Sequence, residues 1–353
     1  MRYTKLVLMN IYLTSCETGP NAWRHQEEAL RKFWALSSHR HRLVDAPHEA
    51  EIIIIGNLRD ENWCKSMRTH PIIRRYVSKC FAISEVDAPS PLLRGVYTSA
   101  HTGLATKFRF RTAAYNLYHP DFQNPFVAKH EDRAFDEDKK YLYTFLGRNS
   151  HPIRSRIFSQ TPTRKDIIVR DTSAFELFTH ESSNKSEEQK KFTEILEESK
   201  FALCPRGNGA ASIRLFEAMK VGVAPIIISD GWILPKGPKW DEFALFVKEN
   251  DVEQIERIAI NNEPNYRELG RRAAAAYATY FADEVYFDYL VQQFADIKKS
   301  QKMPEYIFWL LRDAFVLKWK IERKLTSILR HRRGHEHRAA GNEEAINVHA
   351  NAM

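Results

Sequence analysis

The chain has 353 residues, 43% of them hydrophobic and 28% charged, with a formal net charge of +8. That length suits two domains, each large enough for its own core, and no apolar run approaches the length of a membrane span. Four cysteines, Cys16, Cys64, Cys80 and Cys204, stand without short paired spacing, which argues against a disulfide framework or a zinc site and for a reducing compartment. The expected location is therefore cytoplasmic, peripheral to a membrane.

The positive charge is uneven. Much of it falls in the last fifty residues, and more falls at Arg109, Arg111, Arg154, Arg156, Arg164 and Lys165. These cations are not interleaved with stacking aromatics as in a nucleic-acid module. Anionic small substrates and an acidic membrane surface are the expected partners, and nucleic acid is not.

From the amino terminus, Leu6 to Leu13 reads as a buried strand, and Trp23 to Leu36 carries a helical apolar face at Leu30, Phe33, Trp34 and Leu36. Glu51-Ile-Ile-Ile-Ile-Gly56 reads as a parallel strand buried on both faces, and Cys80 to Ser84 as a weaker one. The prolines in Glu85 to Pro91 require a loop. His130 to Lys140 is almost all charged and reads as a linker between domains. It contains Asp136-Glu-Asp138, the Asp-x-Asp pattern of metal-dependent sugar transferases, but placed before a strand and among lysines, where a solvated loop is the better reading.

The second half is cleaner. Tyr141 to Leu146 is a strand, Gly147 to Ser150 its exit loop, and Pro152 the first turn of a helix. Asp166 to Val169 is a further strand, and Ser186 with Gln189 suggests a capping box for a helix to about Lys200. Phe201 to Cys204 is a buried strand, followed by Pro205-Arg-Gly-Asn-Gly-Ala-Ala-Ser212 and a helix stopped by Gly222. Val223 to Ser229 is a strand, and Asp251 with Gln254 caps another helix. Residues 264–300 are helical, and 304–331 mix apolar residues at near-helical spacing with Lys318, Lys320, Arg323, Lys324 and Arg330; Phe308, Leu311, Phe315 and Trp319 either pack back on the amino-terminal domain or join those cations at an anionic surface or a partner. The polar residues after His331 are expected to be disordered.

Strand-helix alternation of this kind predicts parallel sheets covered on both faces, with ligands at the carboxyl ends of the strands. Two loops leave such ends: Gly147 to Arg154 and Pro205 to Ser212. In the second, Gly207, Gly209 and Ala210 let backbone approach a bound group closely. The helix that starts at Ser212 offers unpaired N–H groups to an anion. Arg206, Arg214 and Arg154 carry forks that match phosphate oxygens, with surface ion pairs as the competing role. Glu217 can accept from two ribose hydroxyls or pair with Lys220. Cys204 is a small buried residue, not a nucleophile.

The run Cys204-Pro-Arg-Gly207, Ser212-Ile-Arg-Leu-Phe-Glu-Ala218, Gly222 to Asp230 and Trp232-Ile-Leu-Pro235 resembles the core of exostosin-like glycosyltransferases, glycosyltransferase family 47. Tyr141 to Gly147, His151-Pro-Ile-Arg154 and Arg156 extend the resemblance over about residues 140–260. It implies an α/β, GT-B type fold with two Rossmann-like domains facing across a cleft. The expected division is 1–135 for the acceptor side, 141–300 for the nucleotide-sugar side, basic amphipathic helices at 304–331 and a tail at 334–353.

The resemblance also implies an inverting transfer from a nucleotide-sugar to a glycan, polysaccharide or lipid-linked acceptor, hexosyl- or glycuronosyl-type, with no metal or other cofactor. A UDP-sugar is the implied donor, and GDP-sugars stay open. The base is expected from the first domain, where Asp87, Glu85 and His101 all lie in loops after strands, although Asp87 can equally cap a turn. Many related transferases carry a second glutamate where this chain has Gly209. A noncatalytic transferase-like subunit that supports a partner enzyme is the competing function, disfavoured by the intact set of Arg206, Arg214 and Glu217.

Overall fold

The computed structural model describes residues 8–17, 24–37, 41–58, 65–87, 92–102, 108–117, 123–128, 138–174, 185–314, 316–318 and 321. Two units divide the chain, residues 1–302 and 303–353. The first half of the larger unit contributes β1 (Asn10–Ser15), α1 (His25–Leu36), β2 (Arg42–Leu43), β3 (Ile52–Gly56), α2 (Lys65–Thr69), α3 (Pro71–Tyr76), β4 (Cys80–Ser84), β5 (Gly95–Tyr97), β6 (Phe110–Arg111) and α4 (Pro125–Ala128). The second half contributes β7 (Tyr141–Gly147), α5 (Pro152–Phe158), β8 (Ile167–Asp171), α6 (Lys185–Glu197), β9 (Ser199–Pro205), α7 (Ile213–Lys220), β10 (Ala224–Ile228), β11 (Leu245–Phe246), α8 (Ile255–Asn262), α9 (Tyr266–Tyr280) and α10 (Asp283–Ser300). The smaller unit contains α11 (Glu305–Leu310).

All the strand pairs are parallel. One sheet runs β2-β1-β3-β4-β5-β6 and the other β11-β10-β9-β7-β8. The four isoleucines of β3 are fully buried, as are β4 and β10 along their length. That is the pattern of strands covered on both faces, where β-branched residues pack best. Gly222, at φ 70°, ends α7: its N–H donates to the Met219 carbonyl at 3.2 Å, and Val223 N–H to the Ala218 carbonyl at 2.9 Å. Both sheets direct the loops at their carboxyl ends into one cleft, the expected GT-B arrangement of Rossmann-like halves.

The expected second domain, 141–300, sends its last helix onto the first sheet. Helix α10 packs on α1, β5 and β6, with Phe294 against Phe81 at 5.2 Å and Tyr286 edge-on to Phe33 at 5.4 Å. Tyr286 also donates to the Ala114 carbonyl at 2.8 Å.

Local expectations differ in three places. Ser186 lies inside α6, and Gln189 donates to the Gln123 carbonyl instead of closing a capping box. Asp251 sits in a 3-10 segment, Glu249–Gln254, at φ −113°, and α8 begins after it without a side-chain cap. Three of the basic residues expected to meet anionic substrates bond to protein groups instead. Arg109 donates to the Leu92 carbonyl, Arg156 to the Glu249 and Asn250 carbonyls, and Arg164 pairs with Asp166 and Glu263. Residues 334–353 and Cys64 lie outside the described residues.

Candidate active site

The strand β9 ends at Pro205, and the chain turns through Arg206 to Ala211 before α7 begins. Ser212 takes the N-cap position in extended conformation, but its hydroxyl does not cap the helix. Ala210 and Ala211 are buried, and the Ala210 carbonyl accepts from the Ser229 hydroxyl at 2.7 Å, which ties the turn to the exit of β10.

Arg154 is the clasp of this turn. Its helix, α5, starts with Pro152 behind His151, whose ring accepts from the Ile153 N–H at 3.3 Å. The Arg154 guanidinium lies over Phe145 and donates to three carbonyls: Arg206 at 2.9 Å, Arg148 at 2.9 Å and Pro205 at 3.0 Å. Burial, reinforced by nearby Arg214, pushes this guanidinium down to about 10. Arg206 turns aside, donating to the Gly207 and Asn208 carbonyls at 3.4 Å and lying 3.8 Å from Glu249. Arg214 donates to Glu217 at 2.7 Å and to the Leu146 carbonyl at 2.7 Å. Glu217 thus pairs with Arg214 and not with Lys220. Burial pushes its carboxyl up, and Arg214 opposes that.

A cleft of ≈ 930 Å³ lies over these residues, large enough for a nucleotide-sugar on the scale of known ligand sites. Arg154, Gly207, Ser212, Arg214 and Glu217 line it from the second sheet, Glu85 and Asp87 from the first. Arg148, Arg170 and Lys191 also line it and are exposed, with no ion-pair partner among the described residues.

The three candidate bases separate. Glu85 uses Oε1 to accept from the Asn116 and Leu117 N–H groups, each at 2.9 Å, and burial pushes its carboxyl up to about 8. It braces the first wall. His101 forms a short antiparallel bridge with Trp232 and does not line the cleft; burial and Arg206 push its imidazole down. Asp87 meets the glycine-rich turn directly. A Cβ on Gly209 would stand 2.7 Å from Asp87 Oδ1 and 2.4 Å from Ser99 Oγ. Burial pushes the Asp87 carboxyl up, while Arg154, the Gly209 N–H and Arg206 hold it down. Gly209 therefore occupies a position with no space for a side chain, which accounts for the missing second glutamate.

Sequence reasoning missed Phe192, Tyr115 and Ser99. Phe192 lines the cleft and lies 3.7 Å from the Arg214 guanidinium carbon, measured at the ring centroid. Tyr115 and Ser99 share a buried hydroxyl hydrogen bond at 2.9 Å beside Asp87. None of the three sits in a recognisable motif. Among the described residues no cluster of three His, Cys, Asp or Glu can hold a metal. Asp138 is exposed and pairs with Arg267, while Asp136 and Glu137 lie outside the described residues.

The Exostosin GT47 domain model matches residues 79–262. The "Exostosin-1 homolog" of Caenorhabditis elegans is 26% identical over 167 residues, covering 43% of this chain and 44% of the relative. "Exostosin-1" of Drosophila melanogaster is 28% identical over 141 residues, covering 36% and 19%. The "Probable glucuronosyltransferase GUT1" of Oryza sativa subsp. japonica is 41% identical over 69 residues, covering 19% and 16%. Each match spans less than half of the relative's length.

Proposed function

The chain belongs to the exostosin GT47 family, and from that premise we propose that it is an inverting glycosyltransferase of hexosyl or glycuronosyl type. The donor is a nucleotide-sugar, preferentially a UDP-sugar, and the acceptor a glycan, polysaccharide or lipid-linked saccharide. The observation that carries this reading is the meeting of Asp87, from the first sheet, with Gly209 of the glycine-rich turn on the second. Inversion needs one base on the acceptor side and stabilisation of the leaving diphosphate on the donor side, and this contact supports assigning those roles to Asp87 and to the turn.

In this mechanism the donor diphosphate sits at the turn 206–212, against the N–H groups that open α7. Arg154 and Arg206 act as charges behind the turn, because their N–H groups already hold its carbonyls. No metal is required. Glu217 receives the ribose. Asp87 takes the proton from the acceptor hydroxyl as the C–O bond to the diphosphate breaks and the new glycosidic bond forms on the opposite face of the sugar. The donor oxygens carry away the electron pair, and the proton ends on Asp87.

A release assay across UDP- and GDP-sugars, with anomeric configuration of the product read by NMR, tests this. Turnover with inversion, unchanged in EDTA, is expected. Nucleotide binding without release from any donor, with or without saccharide acceptors, would favour the noncatalytic subunit. Retention at the anomeric carbon would remove Asp87 from its role.

We also propose that the smaller unit attaches the enzyme to an anionic membrane. Tyr306, Leu310, Leu311, Leu317 and Ile321 are exposed beside Lys318, and more cations follow in the sequence. Among the described residues no helix is long and apolar enough to cross a membrane. Co-sedimentation with phosphatidylserine vesicles is expected for the full chain and not for one ending at Lys302; equal behaviour of the two would end the proposal.

A further inference from the structure

A second cavity, of ≈ 410 Å³, adjoins the cleft and falls within the roughly 300–1,000 Å³ of ordinary small-molecule sites. Two helix faces make it. His25, Glu28, Ala29 and Lys32 line it from α1, and Ile213, Phe216, Glu217 and Lys220 from α7. Both sets follow the i, i+3, i+4, i+7 spacing of a single helical stripe. Such stripes ordinarily close on one another through apolar side chains. Here five of the eight positions are ionisable. Closing the helices would bury unmatched charge, and space remains.

Most of that charge is already committed. Lys32 of α1 pairs with Asp283 of α10 at 3.5 Å, and Arg214 holds Glu217 at 2.7 Å. Two groups are not. The Glu28 carboxylate is exposed, with no ion pair or side-chain hydrogen bond among the described residues. The half-buried Lys220 ammonium lies 5.6 Å from the centre of the Tyr277 ring and donates no hydrogen bond among the described residues. Burial pushes that ammonium down, while Asp283 and Glu284 hold it up. Asn116 keeps its side-chain oxygen for a ligand, because its amide nitrogen donates to Phe281. Phe216 and Tyr277 add aromatic surface.

Donors, acceptors and aromatic surface in one enclosure suit a polyhydroxylated ring. The charges decide which kind. Carboxylates stand at Glu28, Glu217 and Asp283 against ammoniums at Lys32 and Lys220. The cleft has the opposite bias, with Arg148, Arg170 and Lys191 unpaired among the described residues. We propose that the second cavity receives the acceptor and selects an uncharged saccharide over one that carries a carboxylate or phosphate. The proposal rests on the transferase reading above and places its acceptor. Tyr115, Asn124, Ile213 and Glu217 line both spaces, and Tyr115 stands beside Asp87. A saccharide held between α1 and α7 therefore leads its terminal hydroxyl past Tyr115 to the base. Lys220 donates to its oxygens, and Glu28 and Asn116 accept from its hydroxyls. A carboxylate or phosphate in the same place would meet Glu28 and Asp283 as like charges.

The test has one readout that needs no turnover and one that does. Aryl-diazirine glycosides of glucosyl, galactosyl and N-acetylglucosaminyl disaccharides, each beside its C6-oxidised uronate, are photolysed with the wild-type full chain, and the labelled peptides are mapped. The best neutral probe should label residues 25–33 and 213–220, and exceed its uronate partner by about tenfold or more. Glu28→Lys should narrow that ratio. In steady-state assays Lys220→Met should raise KM for the same neutral disaccharide about tenfold, the worth of a hydrogen bond from a charged donor, with kcat changed less. Label confined to residues 147–150 and 170–173, or no specific label from any probe, overturns the site. Uronates that label as well as neutral probes, or a ratio unaltered in Glu28→Lys, overturn the selectivity. A matching fall in UDP affinity in Lys220→Met would make Lys220 structural and overturn its role. Should that variant fail to fold, Glu28→Lys, changed at an exposed position, carries the test. Absence of both UDP binding and sugar transfer in wild type, with residues 25–33 and 213–220 still labelled, would bring down the donor reading and leave the saccharide site standing.

Discussion

The two walls of the cleft are built on different plans. The wall from the second sheet is local: β7, β9 and α7 with their exit loops supply it, and each element follows short-range rules of strand, turn and cap. The wall from the first sheet is assembled from separated pieces. Glu85 reaches the amides of Asn116 and Leu117, Trp232 donates to the Thr98 carbonyl at 2.9 Å, and Asn116 donates to the Phe281 carbonyl at 2.7 Å. Its strands β5 and β6 are three and two residues long. Local rules suffice to present the backbone N–H groups of a glycine-rich turn to the cleft. Placing one carboxylate opposite them requires long-range polar bonds in a buried setting, where each must be satisfied.

The contrast is broken most severely at Asp87. Asp87→Asn is predicted to lower turnover by about 10²–10⁴, the usual worth of a general base, with nucleotide affinity changed little. Steady-state kinetics beside calorimetry separates the two, and turnover within tenfold of wild type would refute the assignment. Because burial raises the Asp87 carboxyl, the rising limb of kcat/KM against pH should lie above the ordinary carboxylate range.

The joint between the walls comes next. Gly209→Ala would set a Cβ 2.4 Å from Ser99 Oγ and 2.7 Å from Asp87 Oδ1, whereas at Gly207 the nearest atoms stand farther off, Ser150 Oγ at 3.2 Å and Arg154 Nη2 at 3.3 Å. Displacing a base by roughly 1 Å costs on the order of 10²-fold, so Gly209→Ala should lose turnover on that scale, and Gly207→Ala, where the contacts are looser by more than half an ångström, should lose less. Comparable losses at both glycines would show that the turn matters only for phosphate.

Smaller still is the brace at Glu85. Its carboxyl is held at about 8 in the folded protein, above its unfolded value. The folded state therefore binds the proton more tightly, and this contribution to stability is complete below the unfolded value and is lost as pH rises through about 8. Thermal melts should show the wild type losing Tm relative to Glu85→Gln between pH 5 and 8.5. A parallel course of the two curves would mean that Glu85 is ionised. Phe192→Ala is the mildest change, about 1 kcal/mol from the lost guanidinium face contact, read as a small drop in Tm; no change would leave Arg214 held by its hydrogen bonds alone.

The long apolar runs were legible because burial on both faces leaves an unbroken hydrophobic signature, as in β3, β7, β9 and β10. Strands of two or three residues, β2, β5, β6 and β11, carry too few side chains for a period and take their order from neighbours. The arginines misled for a related reason. Composition shows a cation, but Arg109 and Arg156 find carbonyls elsewhere in the chain, and nothing adjacent in sequence marks those partners. At the candidate site the motif pointed to the turn and to Glu217, which line one cleft. What it did not reveal was which way each guanidinium points, since that depends on the carbonyls of β7 and on the Gly207 turn.

Helix α10 completes the first sheet from the far end of the chain, and this has a consequence for biosynthesis. The ribosome releases β1 to β6 long before Tyr286, Phe287, Leu290, Phe294 and Ile297 exist to cover them, although all five are buried in the finished fold. The nascent first half must wait with an apolar face uncovered, the state in which chains recruit chaperones or aggregate. A chain ending at Ala282 is expected to bind a hydrophobic dye and to be cut by protease within β1 to β6 while the β7 to β10 region resists. Equal resistance of both halves would mean that the first sheet folds without its last helix.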